Sequence, residues 1–210
     1  METLIGDVPD AWAQVRLAQV CDMLAGPSGA SLGPAARRSP DVPVVTPKDF
    51  RNNRIAEDGV GAIARESANR LSRYRLAPGD VVCARTGELG RQALAGERQG
   101  GWLFGTACLR LRVDDSVSPY YLTYYLSHPA VRDWIMRNAT GSAIPSLTTK
   151  TLGSMPVVIP PEAIQSEVGE VLGALDEKIT VHDVISRTTA ALRDSLLPLL
   201  LAGSRRIPQA

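Results

Sequence analysis

The stretch from Ile159 to Gly203, IPPEAIQSEVGEVLGALDEKITVHDVISRTTAALRDSLLPLLLAG, constrains the chain more than any other. A strand-like run, Met155–Ile159, leads into Pro160-Pro161, and proline suits the first turn of a helix but not its interior. Glu162 and Glu167 place negative charge near the start, where the helix dipole favours it. Apolar residues then return at helical spacing: Ile164, Val168, Val171, Leu172, Leu175, Ile179, Val184, Ile185, Leu192 and Leu196, with no proline before Pro198. The predicted helix, Glu162–Leu197, would be about 54 Å long at about 1.5 Å per residue, well beyond an ordinary globular helix. It is either an amphipathic element packed on its own domain or an arm that docks against another helix. With Ile164, Val168, Val171 and Leu175 as alternating d and a positions, the seam continues through Lys178, His182, Ile185, Thr189, Leu192, Leu196 and Leu199. The polar members Lys178, His182 and Thr189 cost stability but can fix register and partner number. Ile164, Val168, Val171, Leu175, Ile179, Ile185, Leu192 and Leu196 are the candidate interface residues.

The 210 residues allow one domain, or one domain plus an extension, and 44% hydrophobic residues allow a sizeable core. The net charge of +1 decides little, but its distribution is uneven. Residues 37–75 carry nine Lys/Arg against five Asp/Glu, and residues 85–112 carry five against two. Residues 1–36 carry one against four, and residues 161–210 five against seven. A basic middle between acidic ends suggests a polyanion site in the middle; solvated arginines on loops are the plainer alternative. Cys21, Cys83 and Cys108 form no CxxC pair, and with only two histidines a structural zinc is not expected. Free buried thiols in a reducing cytoplasm are expected instead. The start METLIGDVPD lacks the features of a signal peptide, and no apolar run is long enough to span a bilayer.

Along the chain, Met1–Asp10 reads as a loose lead-in. WAQVRLAQVCDML fits a strand alone or a strand turning into a short helix. Residues 25–43, rich in Gly, Pro, Ser and Ala, read as an irregular loop. Strands are predicted at Val42–Thr46, Val81–Ala84, Trp102–Phe104 and Thr106–Val113; in the last, Ala107, Leu109, Leu111 and Val113 alternate with Cys108, Arg110 and Arg112. Ser118-Pro119 opens a helix as N-cap and first position, Pro129 opens another, and Ser146 is predicted to cap a short third one, LTTKTL. Tyr120, Tyr121, Tyr124 and Tyr125 could stack on bases, but at helical spacing they read better as core and rim.

Several chemistries are missing. The one Pro-Pro, Pro160-Pro161, lacks the flanking amide and aromatic of an adenine-methyltransferase motif. Gly87-Glu88-Leu89-Gly90 does not match dinucleotide spacing, and no phosphate-binding loop is present. Pro40-Asp41 with Asp176-Glu177-Lys178 is a weak nuclease-like string, its second half on the long helix. Neither His128 nor His182 has a neighbouring Ser or Cys to activate.

The order of segments resembles the DNA-specificity subunit of type I restriction–modification systems. VPDAWAQVRLAQVCD looks like that family's Pro-x-x-Trp-x-x-x-x-Leu opening. LAPGDVVCARTGELGRQAL resembles its Leu-x-x-Gly-Asp strand and glycine turn. SPYYLTYYLSHP is similar to the helix after its central strands. GSAIPSLTTKTLGSMPVVIPPEAIQSEVGEVLGALDEKI resembles its Gly-Ser, hydrophobic-Pro-hydrophobic strand, Pro-Pro pair, helix-opening Gln and Leu-Asp-x-Lys-Ile. The match runs from Val8 to Gly203. One departure is that Ile164, where the family usually has Glu, precedes Gln165.

The resemblance implies an α+β fold: a target-recognition domain (1–158), a spacer and dimerisation helix (159–203) and a flexible tail (204–210). Family members usually carry two recognition domains and two spacer helices, so this chain looks like a half-subunit. It implies a non-catalytic, cytoplasmic DNA-recognition subunit that works as a homodimer. The partners are double-stranded DNA, an adenine methyltransferase and, in some systems, a restriction subunit. No cofactor is expected on this chain; S-adenosylmethionine belongs to the methyltransferase. A regulatory or anti-restriction mimic that occupies the methyltransferase without reading DNA is the alternative, and a catalytic nuclease comes third. The candidate DNA contacts are Lys48, Arg51, Asn52, Asn53 and Arg54, then Arg85, Thr86, Arg91 and Gln92, then Ser142, Thr148 and Lys150. Long donors suit guanine edges and phosphates, while Asn and Gln suit adenine.

Overall fold

A computed structural model describes residues 1–32, 41–141 and 143–202. Contacts divide the chain into Met1–Leu172 and a second unit from Gly173 onward, so the dividing point falls inside the long helix. Ser142, residues 33–40 of the Gly/Pro-rich stretch, and the tail 204–210 lie outside the described residues.

The chain opens with a small hairpin, β1 (Glu2–Thr3) and β2 (Gly6–Asp7). The expected loose lead-in is therefore partly ordered: the Met1 amine donates to Asp10 at 2.8 Å. The next segment splits into β3 (Ala13–Arg16), a 3-10 turn over Leu17–Gln19 and β4 (Cys21–Ala25), because Leu17 turns into the core. There follow α1 (Gly29–Leu32), β5 (Asp41–Val45), β6 (Phe50–Arg51), β7 (Arg54–Ile55), β8 (Ala62–Ala64) and α2 (Arg65–Asn69). Then come β9 (Val81–Ala84), β10 (Gln92–Leu94), β11 (Leu103–Phe104) and β12 (Cys108–Val113). The chain closes with α3 (Pro119–Ser127), α4 (Pro129–Asn138), α5 (Thr149–Gly153), β13 (Pro156–Ile159) and α6 (Glu162–Leu201).

Six strands form the main sheet in the order β4-β12-β9-β10-β7-β6. Its pairings are antiparallel except β10 with β7, where Leu94 meets Arg54 in parallel. A three-stranded sheet, β11-β5-β8, and a pair, β13-β3, complete the architecture. The alternation in β12 sends Leu109 and Leu111 into a core shared with Leu122, Leu126, Leu152 and Val157. Cys108 enters a second core with Val45, Phe50 and Phe104. Both faces of β12 are thus buried, and Arg110, only 5% exposed, answers with an ion pair to Asp22.

Ser118 caps α3 as the sequence predicts, its hydroxyl accepting from the Tyr121 N–H. The tyrosines divide into core and rim: Tyr121 and Tyr125 are buried while Tyr120 is 52% exposed. The Tyr121 hydroxyl donates to the Val158 carbonyl at 2.8 Å, and Tyr125 to that of Pro156 at 3.1 Å. These bonds tie α3 to β13, and burial pushes the Tyr125 phenol up to about 12. The cysteines are free thiols, with Cys83 and Cys108 buried. Burial raises Cys83 and pushes Cys21 and Cys108 up to about 12.

Several strand ends shift by one or two residues from expectation, the 25–43 stretch holds α1 and the start of β5, and two helix boundaries also differ. Thr148, not Ser146, caps α5, its hydroxyl accepting from Thr151 N–H at 3.0 Å; Ser146 is held instead in bridges to Thr140 and Thr86. Helix α6 also runs through Pro198 to Leu201. The proline removes one N–H late in the helix, and Asp194, whose carbonyl loses its donor, stands exposed to water.

Candidate nucleic-acid interface

The polar segment after Val45 is a hairpin rather than an open loop. Thr46 and Asp49 bracket a 3-10 turn over Pro47–Asp49 through a capping box that leaves Lys48 exposed. Strands β6 and β7 are then joined by Asn52 and Asn53 alone, both at positive φ (47° and 58°). A two-residue turn of this kind matches the twist of a hairpin, and Asn tolerates the left-handed region better than most residues. Arg51 and Arg54 are register partners directly across this turn, and both are exposed. Like charges directly opposite on paired strands destabilise them, yet neither arginine makes an ion pair among the described residues.

The turn between β9 and β10 fastens this hairpin. Arg91 donates to the Phe50 carbonyl and pairs with Glu88. Gln92, 4% exposed, turns its amide inward to Asn53 at 2.9 Å and to the Ser127 hydroxyl. Gln92 is therefore a buried strut and unavailable to a base, which corrects the sequence expectation: its period-2 position on β10 points into the fold. Arg91 is largely spent in the same way. Arg85 is half-buried, and its buried Nε has no hydrogen-bond partner among the described residues.

The same turn gathers the third predicted segment. Leu147 N–H donates to the Arg85 carbonyl at 2.8 Å, and Thr86 bridges Ser146. Thr140 and Ser146 exchange backbone hydrogen bonds of 2.9 and 2.7 Å. Thr148 is committed to capping α5, whereas Lys150 is exposed. Ser142 lies outside the described residues. The three segments that sequence reasoning selected thus meet around one turn, although Gln92, Arg91 and Thr148 serve the scaffold.

Sequence reasoning missed two features here. The Arg132 side chain lies over the turn, its Cγ 3.3 Å from where a Cβ on Gly90 would stand. Charge counting also overstated the basic surplus of residues 85–112. Arg112 makes a two-pronged pair with the buried Asp80, both bonds 2.7 Å, which raises the Arg112 pKa above its ordinary value. Arg110 and Arg98 pair with Asp22 and Glu57. Lys48, Arg51 and Arg54 make no ion pair among the described residues, and neither do Arg65, Arg70, Arg73, Arg75 and Arg85.

Of the candidate interface residues on α6, Val168 packs against the first core and Ile164 is half-buried. Val171, Leu175, Ile179, Ile185 and Leu192 are 47–57% exposed, and Leu196 is half-buried. Among the described residues no three His, Cys, Asp or Glu side chains stand close enough to hold a metal, and no helix is long and apolar enough to cross a membrane.

Residues 9–187 match the type I restriction modification DNA specificity domain. The chain belongs to this family. Specificity subunits are the non-catalytic DNA-recognition components of type I restriction–modification systems. The chain is 22% identical to a Methanocaldococcus jannaschii protein named as the MjaX type I restriction enzyme specificity subunit, over 96% of this chain and 48% of that one. Among solved structures, the specificity subunit of M. genitalium superposes with a TM-score of 0.64 at 14% identity, covering 94% of this chain and 48% of the other. The HsdS subunit of Thermoanaerobacter tengcongensis gives 0.57 at 21%, covering 84% and 40%. These specificity subunits share the fold, and this chain spans about half the length of each.

Proposed function

We propose that this chain reads one half of a two-part DNA target and directs an adenine-N6 methyltransferase to it. A restriction subunit acts in the same assembly where one is present. The carrying observation is the opposition of Arg51 and Arg54 across the Asn52-Asn53 turn, beside Lys48. A hairpin of this width fits the major groove, where arginine reads guanine and asparagine reads adenine. Charged residues also protect an edge strand from adding another chain, but one charge would do that without setting two alike face to face. The basic tip argues against a mimic that occupies the methyltransferase alone, since such a mimic gains nothing from exposed cations.

The apolar stripe of α6, from Ile164 to Leu196, joins two copies in antiparallel fashion, a two-fold contact that points two recognition domains in opposite directions. The full site is then palindromic, with unspecified bases between its halves. The methyltransferase brings S-adenosylmethionine and the chemistry. The deciding experiment combines the chain with its methyltransferase and maps adenine methylation genome-wide, with and without the chain. A split palindrome that needs both proteins is expected; a continuous asymmetric target, or methylation by the chain alone, overturns the reading.

A further inference from the structure

A cavity of about 440 Å³ opens within the Met1–Leu172 unit where α6 begins, between residues 113–119, the end of β13 and the first turn of the helix. Gln165 ties its two sides together, accepting from the Ser118 N–H and donating to the Ser116 carbonyl. Asp114, Asp115 and Glu162 line it, all three exposed, and none makes an ion pair among the described residues. No Lys, Arg or His is among the described residues that line it. Such a hollow repels phosphate and suits a guanidinium group.

The seam of α6 indicates whose. Antiparallel pairing sets each a position of one helix against a d position of the other. Val168 against Leu199 also sets Val171 against Leu196, Leu175 against Leu192 and Lys178 against Thr189. Apolar side chains then meet apolar ones and two polar ones share a layer, with His182 against Ile185 the one mixed layer. A shift of one heptad puts Lys178 opposite His182 or Leu196 instead. In the first register Leu201 of one copy stands across from Ser166 of the other, a residue of the cavity wall, with its chain heading toward Glu162. The chain beyond Ala202 reads GSRRIPQA, so Arg205 and Arg206 follow within four residues, a span of at most about 14 Å. The same arginines cannot reach the cavity of their own chain, because the 40 residues of α6 put Glu162 and Leu201 about 60 Å apart. We infer that Arg205 and Arg206 of one copy dock in the acidic cavity at the foot of the other copy's α6. This rests on the antiparallel two-copy reading proposed above and adds to it a register and a second contact surface.

The test uses the full chain at low salt, with the dimer dissociation constant read by sedimentation equilibrium. Arg205→Glu with Arg206→Glu should weaken the dimer about fifteenfold, since two-fold symmetry makes the contact twice and each exposed ion pair is worth roughly a factor of two. Asp115→Lys with Glu162→Lys should do the same. Mixing the two variants should restore wild-type affinity in the heterodimer, where each altered tail meets an altered cavity and each native tail a native one. These differences should fade in about 1 M salt. If the cavity variant fails to fold by circular dichroism, the tail variant decides. A tail variant that dimerises as tightly as wild type, or a mixture no tighter than either variant alone, would overturn the docking while leaving the helix pair intact. An unchanged dimer that no longer binds the methyltransferase would place the arginines in that interface and would also overturn it. A tail variant that dimerises more tightly would mean that like tails stand together, as in parallel pairing, and would overturn both readings. A wild type that stays monomeric with the methyltransferase present would sink the two-copy reading and the docking with it.

Discussion

The side chain of Gln165 stands in for missing backbone at Ser118: its Oε1 accepts from the Ser118 N–H at 2.7 Å, at the mouth of α3. Its Nε2 donates to the carbonyls of Ser116 and Pro160, each at 3.0 Å, and the residue is 3% exposed. The first turn of α6 is thereby bolted to the segment that caps α3. Close by, Gly169 leaves room for Tyr120, whose Cβ lies 3.0 Å from where a Gly169 Cβ would be. Gln165→Ala would strand these partners and should cost about 2–4 kcal/mol, read as a lower urea midpoint with unchanged slope.

Arg51 and Arg54 should show opposite effects on stability and on binding. Replacing either with Ala removes a like-charge opposition, so the melting temperature should hold or rise. Specific DNA affinity should fall by about 1–3 kcal/mol for a base contact, with relaxed preference at one position. A phosphate contact would instead weaken all sequences alike and reduce the salt dependence. Variants that lose stability and keep affinity would assign the pair to the scaffold.

Gln92 should behave in the reverse manner. Gln92→Leu leaves Asn53 and Ser127 without its amide and should cost about 1–3 kcal/mol of stability. Base preference, measured on the same panel of duplexes, should stay as in wild type.

The thiols make stability fall in alkali. Cys108 and Cys21 have folded-state pKa values pushed up to about 12 by burial, against 9.0 in the unfolded chain. Their raised values mean the folded state keeps the proton longer, so their contribution is complete below pH 9 and is lost as pH rises toward 12. Each thiol can tilt stability by at most about 1.4 kcal/mol per pH unit in that window. Chemical denaturation at pH 8 and 10 should show the drop, and Cys108→Ala should reduce it. Alkylation of native protein at pH 8 should spare Cys83 and Cys108.

Assembly should depend on the α6 stripe. Val171→Asp with Leu175→Asp would bury unpaired charge in the proposed helix pair and should yield monomers by light scattering, with the methyltransferase present. Deleting one heptad, about 10 Å of helix, should shorten the preferred spacer by about three base pairs or abolish binding if rotational phase is lost.

The long helix, the Ser118 and Pro129 starts and the central strands were legible because each is announced locally, by period, cap or proline. The role of Gln92 was not, since an amide reads alike whether it faces a base or Ser127; only the sheet order puts β10 beside α3. The pairing of Arg112 with Asp80 links positions brought together by the sheet, which residue counts cannot register. Ser146 looked like a cap because Ser suits caps, but Thr148 holds the position three residues before Thr151, whose N–H it accepts. The hairpin's Asn-Asn turn was present in the sequence, hidden by strands of only two residues each.

The β6–β7 hairpin occupies the last two places in the main sheet, paired to it by the parallel contact of β7 with β10 and tied to the β9–β10 segment by Arg91 and Gln92. Elements at the rim of a sheet can change length and sequence while the strands behind them keep their register. On the proposed reading, a lineage carrying this fold would acquire a new target by changing the Asn52-Asn53 turn and the arginines flanking it, while Phe50 and Ile55 stay in the second core. Diversity of targets then becomes a property of where the hairpin is attached.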